Sequence, residues 1–165
     1  AGDNGLAVGQ HGLMGKQNVY EHSVGVPLMI KAAAQHTGKK TADLCYLIDV
    51  FPTLCDMLQL PVPQSVDGIS LLSSLDGKEP VRDYLYYSYM DNQRGISDGT
   101  WKLIEYHVNG KRTTQLFNLK NDPWERNDLS GQKKYEKTIQ RLREKMAEEQ
   151  KRTNDTSVFW NNFSY

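Results

Sequence analysis

The chain has 165 residues, 20 Lys and Arg against 20 Asp and Glu, and a hydrophobic fraction of 38%. That length suffices for one domain with a real core, and the zero net charge removes the bulk electrostatic basis for binding nucleic acid or a membrane surface. No apolar run approaches the roughly 20 residues of a membrane span; the longest, at residues 24–30, is interrupted by Gly25 and Pro27.

In chain order, Asp3-Asn4-Gly5 comes first and reads as a strand end followed by a turn. Val26-Pro-Leu-Met-Ile30 reads as a short buried strand, with Pro27 at its start where the missing ladder donor is tolerated. Residues 32–40 read as a loop. Residues 44–60 carry apolar side chains at helical spacing, with Leu47, Val50, Leu54, Met57 and Leu58 on one side and Pro52 near the first turn. A strand-end Asp-Asn, a parallel-type strand and a crossing helix belong to an open, doubly wound α/β sheet. One or two such strands cannot bury both sheet faces, so further strands are expected before residue 1.

Residues 61–82 are rich in Pro, Ser, Asp and Gly and read as a connection between two parts. Residues 1–60 form the α/β piece and residues 83–165 an α+β subdomain. In that subdomain, residues 83–90, 95–97, 101–108 and 113–119 read as strands of a small antiparallel meander. Asp98-Gly99 and Asn109-Gly110 supply its turns. Residues 132–151 form a helix with one apolar stripe of Tyr135, Ile139, Leu142 and Met146. The apolar tail around Val158-Phe-Trp160 and Phe163 is expected to fold back onto the body.

Cys45 and Cys55 lie in no metal-binding spacing and read as buried small hydrophobes. Asn154-Asp-Thr and Asn162-Phe-Ser match the N-glycosylation pattern. No signal-peptide pattern occurs in these residues, which leaves export open.

Three groups of residues could carry chemistry. Asp3 and Asn4 are adjacent hard oxygen donors suited to Ca2+ or Mg2+, or to an ordinary Asx turn. Calcium takes roughly six to eight oxygens, so two residues are not a complete shell. Lys16, thirteen residues after Asp3, could hold one oxygen of an anion or stand as a solvated lysine. His11, beside Gln10, could donate to an anion or to a leaving group, or could satisfy a loop carbonyl.

The combination resembles the C-terminal half of the type I, formylglycine-dependent sulfatases of the alkaline phosphatase superfamily. The resembling segments are Asp3-Asn4-Gly5, Gly9-Gln-His11-Gly12, Gly15-Lys16, Tyr20-Glu21-His22-Ser23 and Val26-Pro27-Leu28. They continue with Asp49-Val-Phe-Pro-Thr-Leu54, Val66-Asp-Gly68, Asp98-Gly-Thr-Trp-Lys-Leu103, Leu116-Phe-Asn-Leu119, Asp122-Pro123-Trp-Glu125 and Asn127-Asp-Leu129. The resemblance implies a Ca2+ site ligated by Asp3 and Asn4. It implies a sulfate contact from Lys16 and weaker substrate-contact roles for His11 and Gln10. It also implies a sulfated carbohydrate or aryl sulfate as substrate, and a periplasmic, secreted or lysosomal setting.

The family's nucleophile, a formylglycine made in a Cys/Ser-x-Pro/Ala-x-Arg context, has no counterpart in this sequence. The resemblance therefore implies a chain that is inactive alone and is completed by an N-terminal portion of the same enzyme. Gly25 stands where relatives often have arginine, which leaves the partner of Glu21 to be found. Two other functions fit parts of the pattern. One is a phosphonate monoester or phosphodiester hydrolase of the same superfamily. The other is a non-catalytic glycan-binding domain presenting Tyr84, Tyr86, Tyr87, Tyr89 and Trp101, although alternating aromatics also serve as core.

Overall fold

The computed structural model describes residues 1–31, 38 and 40–157. The chain forms two compact units, one of Ala1–Asp3 with Pro27–Leu85 and the other of Asn4–Val26 with Tyr86 onward.

In the first unit, a 3-10 turn at Leu47–Asp49 runs into helix α2 (Val50–Met57). Asp49 is fully buried and organises what surrounds it. Its carboxylate accepts the Tyr46 N–H at 2.7 Å and the Ile69 N–H at 2.8 Å. Arg82 grips both oxygens, at 2.6 and 3.1 Å. Burial works against the charge on Asp49, but Arg82 and the two backbone donors more than offset it, so the carboxyl sits below its ordinary range. Thr53 donates its hydroxyl to the Asp49 carbonyl at 2.5 Å and accepts the Leu71 N–H at 2.9 Å, which anchors the one-turn helix α3 (Leu72–Leu75).

This unit departs from the sequence reading in three ways. The helix expected over residues 44–60 is shorter. Its buried side carries Asp49, Pro52, Thr53 and Cys55, while Leu47, Leu54 and Leu58 of the apolar stripe are exposed together with Ile48 and Phe51. The Arg82–Asp49 pair and the Thr53 bonds hold the opposite side of the helix inward. Residues 26–30 form no strand. Among the described residues that segment shows one backbone bond, from the Gly2 N–H to the Pro27 carbonyl at 3.3 Å, which is too little for a ladder. The connection at 61–82 contains α3. Cys55 is buried and Cys45 half-buried, and both are free thiols.

The second unit is built on a four-stranded antiparallel sheet of order β3-β4-β5-β6, with β3 Leu85–Tyr89, β4 Gln93–Ser97, β5 Trp101–Val108 and β6 Lys111–Asn118. The predicted meander is present, and Asn109 and Gly110 turn β5 into β6 with positive φ angles of 52° and 73°. Asp98 closes the β4–β5 turn by accepting the N–H groups of Thr100 and Trp101 at 2.9 and 2.7 Å. Helix α4 (Glu136–Arg152) packs on β4 and β5, burying Ile139, Leu142 and Met146. Its predicted stripe is the observed one, with Tyr135 against Trp101 at a ring separation of 5.2 Å.

The other sheet face is covered over Ile104 and Phe117 by residues of Asn4–Val26. This segment holds a two-residue hairpin, β1 (Ala7–Val8) with β2 (Met14–Gly15), and the one-turn helix α1 (Glu21–Val24). Val19 and Tyr20 pack with Ile104 and Phe117. Each such fully buried apolar side chain contributes about 1.5–3 kcal/mol. Because both faces are covered, β5 is buried at consecutive positions from Lys102 to Glu105. The apolar tail and the Asn162 sequon lie outside the described residues.

Candidate functional site

The candidate residues Asn4, Gln10, His11 and Lys16 all fall in the second unit, and Asp3 in the first. The segment that carries them is held down at two points. Gly5 donates its N–H to the Ser23 carbonyl at 3.0 Å and lies so close to the His22 carbonyl that a Cβ would collide with it. Glycine is therefore required next to Asp3-Asn4 by close packing. Asn18 then bonds the Tyr20 N–H at 3.1 Å, and the Tyr20 hydroxyl donates to Gln115 on β6 at 2.7 Å.

His11 sits at the tip of the hairpin with a φ of 54°. Its ring lies flat on Tyr20, with centroids 3.9 Å apart and planes within 3°, and His22 stacks beside both at 5.6 Å. His11 Nε2 is 3.3 Å from the Trp124 carbonyl. Burial, then the neighbouring His11 and Lys102, push the His22 imidazole below its ordinary value. The carboxamide oxygen of Gln10 accepts the Val8 N–H at 2.5 Å, so Gln10 serves the hairpin. Lys16 is exposed, and its carbonyl accepts the Asn18 N–H at 2.9 Å.

Asp3 and Asn4 are both exposed. Their carboxylate and carboxamide oxygens suit a hard cation, and they would fill two of its positions. Among the described residues, no group of three or more His, Cys, Asp and Glu side chains could hold a metal ion.

Beneath this segment lies a buried charge cluster that motif reading did not predict. Lys102 is fully buried, with Nζ 2.8 Å from Glu21 Oε1 and 3.1 Å from Glu125 Oε1. The ammonium also sits 5.1 Å from the centre of the Tyr87 ring. Glu125 Oε2 accepts the Glu21 N–H at 2.6 Å, tying the start of α1 to the turn that holds Trp124. Burial pushes the Glu125 carboxyl up, with Lys102 pulling the other way. Glu21 thus finds its partner on β5. Gly25 leaves room for it, because a Cβ there would sit 2.8 Å from Glu21 Oε2. The signal was present in the sequence as three separate motifs around Glu21, Lys102 and Glu125, but pairing residues so far apart along the chain required the fold.

Comparison with known proteins adds the family. The model of the C-terminal part of N-sulphoglucosamine sulphohydrolase matches residues 9–152. An N-acetylglucosamine-6-O-sulfatase of Bacteroides thetaiotaomicron is 30% identical over 93% of this chain and 30% of its own length. Arylsulfatase K of Homo sapiens is 26% identical over 73% of this chain and 25% of its own. A protein solved in complex with its substrate D-glucosamine-2-N,6-O-disulfate superposes with a TM-score of 0.76 at 28% identity, covering 95% of this chain and 34% of that one. The chain thus spans about a third or less of the length of these relatives. The superposition takes in the small antiparallel sheet and the C-terminal helix α4, the fold of the C-terminal part of sulfatases. With the match extending through both the His11–Lys16 hairpin and the sheet that supports it, the chain belongs to the N-sulphoglucosamine sulphohydrolase C-terminal family.

Proposed function

We propose that this chain is the C-terminal portion of a sulfatase that hydrolyses sulfate esters of sugars or aryl alcohols. The observation that carries the reading is the family match over residues 9–152, which takes in His11, Lys16 and all three members of the buried cluster. In this reading Asp3 and Asn4 contribute two oxygens to a Ca2+ ion, which supplies charge stabilisation to the sulfate when bound. Lys16 offers its ammonium to a sulfate oxygen or to the bridging oxygen, where negative charge builds as the ester breaks. His11, held flat on Tyr20, presents its ring at the mouth of the same pocket, with Gln10 beside it.

The chain acts only when joined to an N-terminal portion that brings the nucleophile and the remaining ligands. The exposed side chains Leu47, Ile48, Phe51, Leu54 and Leu58 support this, since clustered apolar surface along the 3-10 turn and α2 marks a contact face. In this reading residues 1–60 belong to the catalytic α/β domain and residues 83–165 to the supporting subdomain.

The test is a sulfate-ester assay on the 165-residue chain and on the enzyme that contains it. The expected result is no turnover by the chain and turnover by the enzyme. Turnover by the chain alone would refute the division of labour. If the enzyme prefers a phosphonate or phosphate ester over the sulfate ester of the same alcohol, the assignment to sulfatase chemistry fails.

A further inference from the structure

The sheet face that packs on Val19 and Tyr20 is only partly covered. Beyond Tyr20 a concave groove of about 440 Å3 remains, running from His11 across to the β5–β6 turn. Tyr20 and Tyr106 form part of its wall, and Gln93, Thr113 and Gln115 line it from the strands. Register places these strand residues together, since Gln93 pairs with Tyr106 and Tyr106 with Thr113. Burial and the Tyr20 hydroxyl push the Tyr106 phenol upward, so the ring wall stays neutral.

The chemistry of the lining is selective. It combines carboxamides, a threonine hydroxyl, tyrosine rings and the apolar side chains of Leu13 and Val108 with two groups able to carry positive charge, His11 and Lys111. No Asp or Glu lines it, although the chain has as many acidic as basic residues. Among the described residues no carboxylate lies within ion-pair distance of Lys111. The Gln93 side-chain oxygen is buried with no donor to satisfy it. Carboxamides and a hydroxyl beside aromatic rings match a sugar ring's hydroxyls and its apolar C–H faces. A free ammonium without a competing carboxylate adds a preference for an anionic sugar. The volume lies in the range of about 300–1,000 Å3 typical of small-ligand sites.

We propose that this groove is a subsite for the sugar next to the one bearing the reacting sulfate, and that it favours a uronate or a second sulfate through Lys111. The proposal rests on the sulfatase reading, because His11 belongs both to the groove and to the mouth of the sulfate pocket.

The experiment compares two substrates in the enzyme that contains this chain. One is a sulfated amino-sugar monosaccharide, and the other is the same sugar extended by a uronic acid. For Lys111→Ala the ratio of kcat/KM, extended over single, should fall at least tenfold through KM, and Lys111→Arg should restore most of it. A ratio within twofold of the parent value in Lys111→Ala overturns the subsite. A structure of the enzyme showing its own side chains filling the groove also overturns it. If the enzyme cleaves no sulfate ester, the sulfatase reading falls instead. The groove is then judged by calorimetric titration of the 165-residue chain with the uronate-containing disaccharide. Saturable binding weakened tenfold by Lys111→Ala supports the groove, and absence of saturable binding overturns it.

Discussion

Lys102 and Glu21 meet at 2.8 Å although 81 residues separate them in the chain. Lys102 lies on the buried face of β5, and Glu21 opens the one-turn helix that follows the hairpin of His11 and Lys16. Glu125 completes the cluster from the other side. A buried ammonium between two carboxylates is stable only while both remain in place, so the contact fixes the height of the hairpin segment above the sheet. The same contact explains why a lysine can stand at a fully buried position of a central strand.

Replacing Lys102 by Met should destabilise the chain by about 3–5 kcal/mol, the usual cost of leaving buried charge without its partner. Glu125 would then lose the interaction that opposes its burial, and its carboxyl would rise further. An acid whose folded value is raised contributes stability below its unfolded value and loses it as pH rises through the folded one. The variant should therefore be closest to the parent near pH 4 and furthest from it near pH 8. Urea titrations across that range check this, and a uniform deficit at all pH values would contradict it.

The Asp49–Arg82 pair gives the opposite sign. Asp49 is held below its ordinary value of 3.8. Its stabilisation is present above that value and is lost as pH falls through the lowered folded one. Asp49→Asn should lower stability at pH 7 and flatten the acid limb of the melting profile relative to the parent. Calorimetric melts from pH 2 to 7 measure it.

His22 should titrate below 6.5, neutral at physiological pH. In His11→Ala, one of the positive neighbours that hold it down is gone, so the His22 value should move upward while burial keeps part of the depression. Proton NMR of the His22 imidazole resonances in parent and variant follows the change. An unchanged His22 titration would mean the stacked rings do not sense each other's charge.

Gly5→Ala drives a Cβ into the His22 carbonyl. The expected cost is about 1–3 kcal/mol, as for other overpacking substitutions. On the proposed Ca2+ role of Asp3 and Asn4, displacing the pair in the enzyme containing this chain should raise the Ca2+ concentration that gives half-maximal activity, and an unchanged concentration would remove the pair from the metal site.

Lys16→Ala in that enzyme should lower kcat/KM on a sulfate ester by about 100- to 1,000-fold, the scale for removing one preorganised charge-stabilising group. The melting temperature should stay near the parent value, because Lys16 is exposed. Parent-like activity would remove Lys16 from the sulfate site.

Local signals carried much of this chain's structure. The aromatic alternation, the Asp98-Gly99 and Asn109-Gly110 turns, and the spacing of Ile139, Leu142 and Met146 each depend on neighbours within a few residues. Those elements appear as read. The motifs that mark the sulfatase family are likewise linear, so family membership was legible before any fold was known. Tertiary structure decided the rest. It turned α2 so that Asp49 and Thr53 face inward, where Arg82 and the Ile69 and Leu71 N–H groups meet them, and it left the leucine stripe facing out. Residues 26–30 show that a strand needs a partner to exist, whatever its composition. And it brought Glu21, Lys102 and Glu125 into one cluster, and left a groove between His11 and Lys111. Contacts between distant segments depend on how the sheet is covered on both faces, which no local pattern specifies.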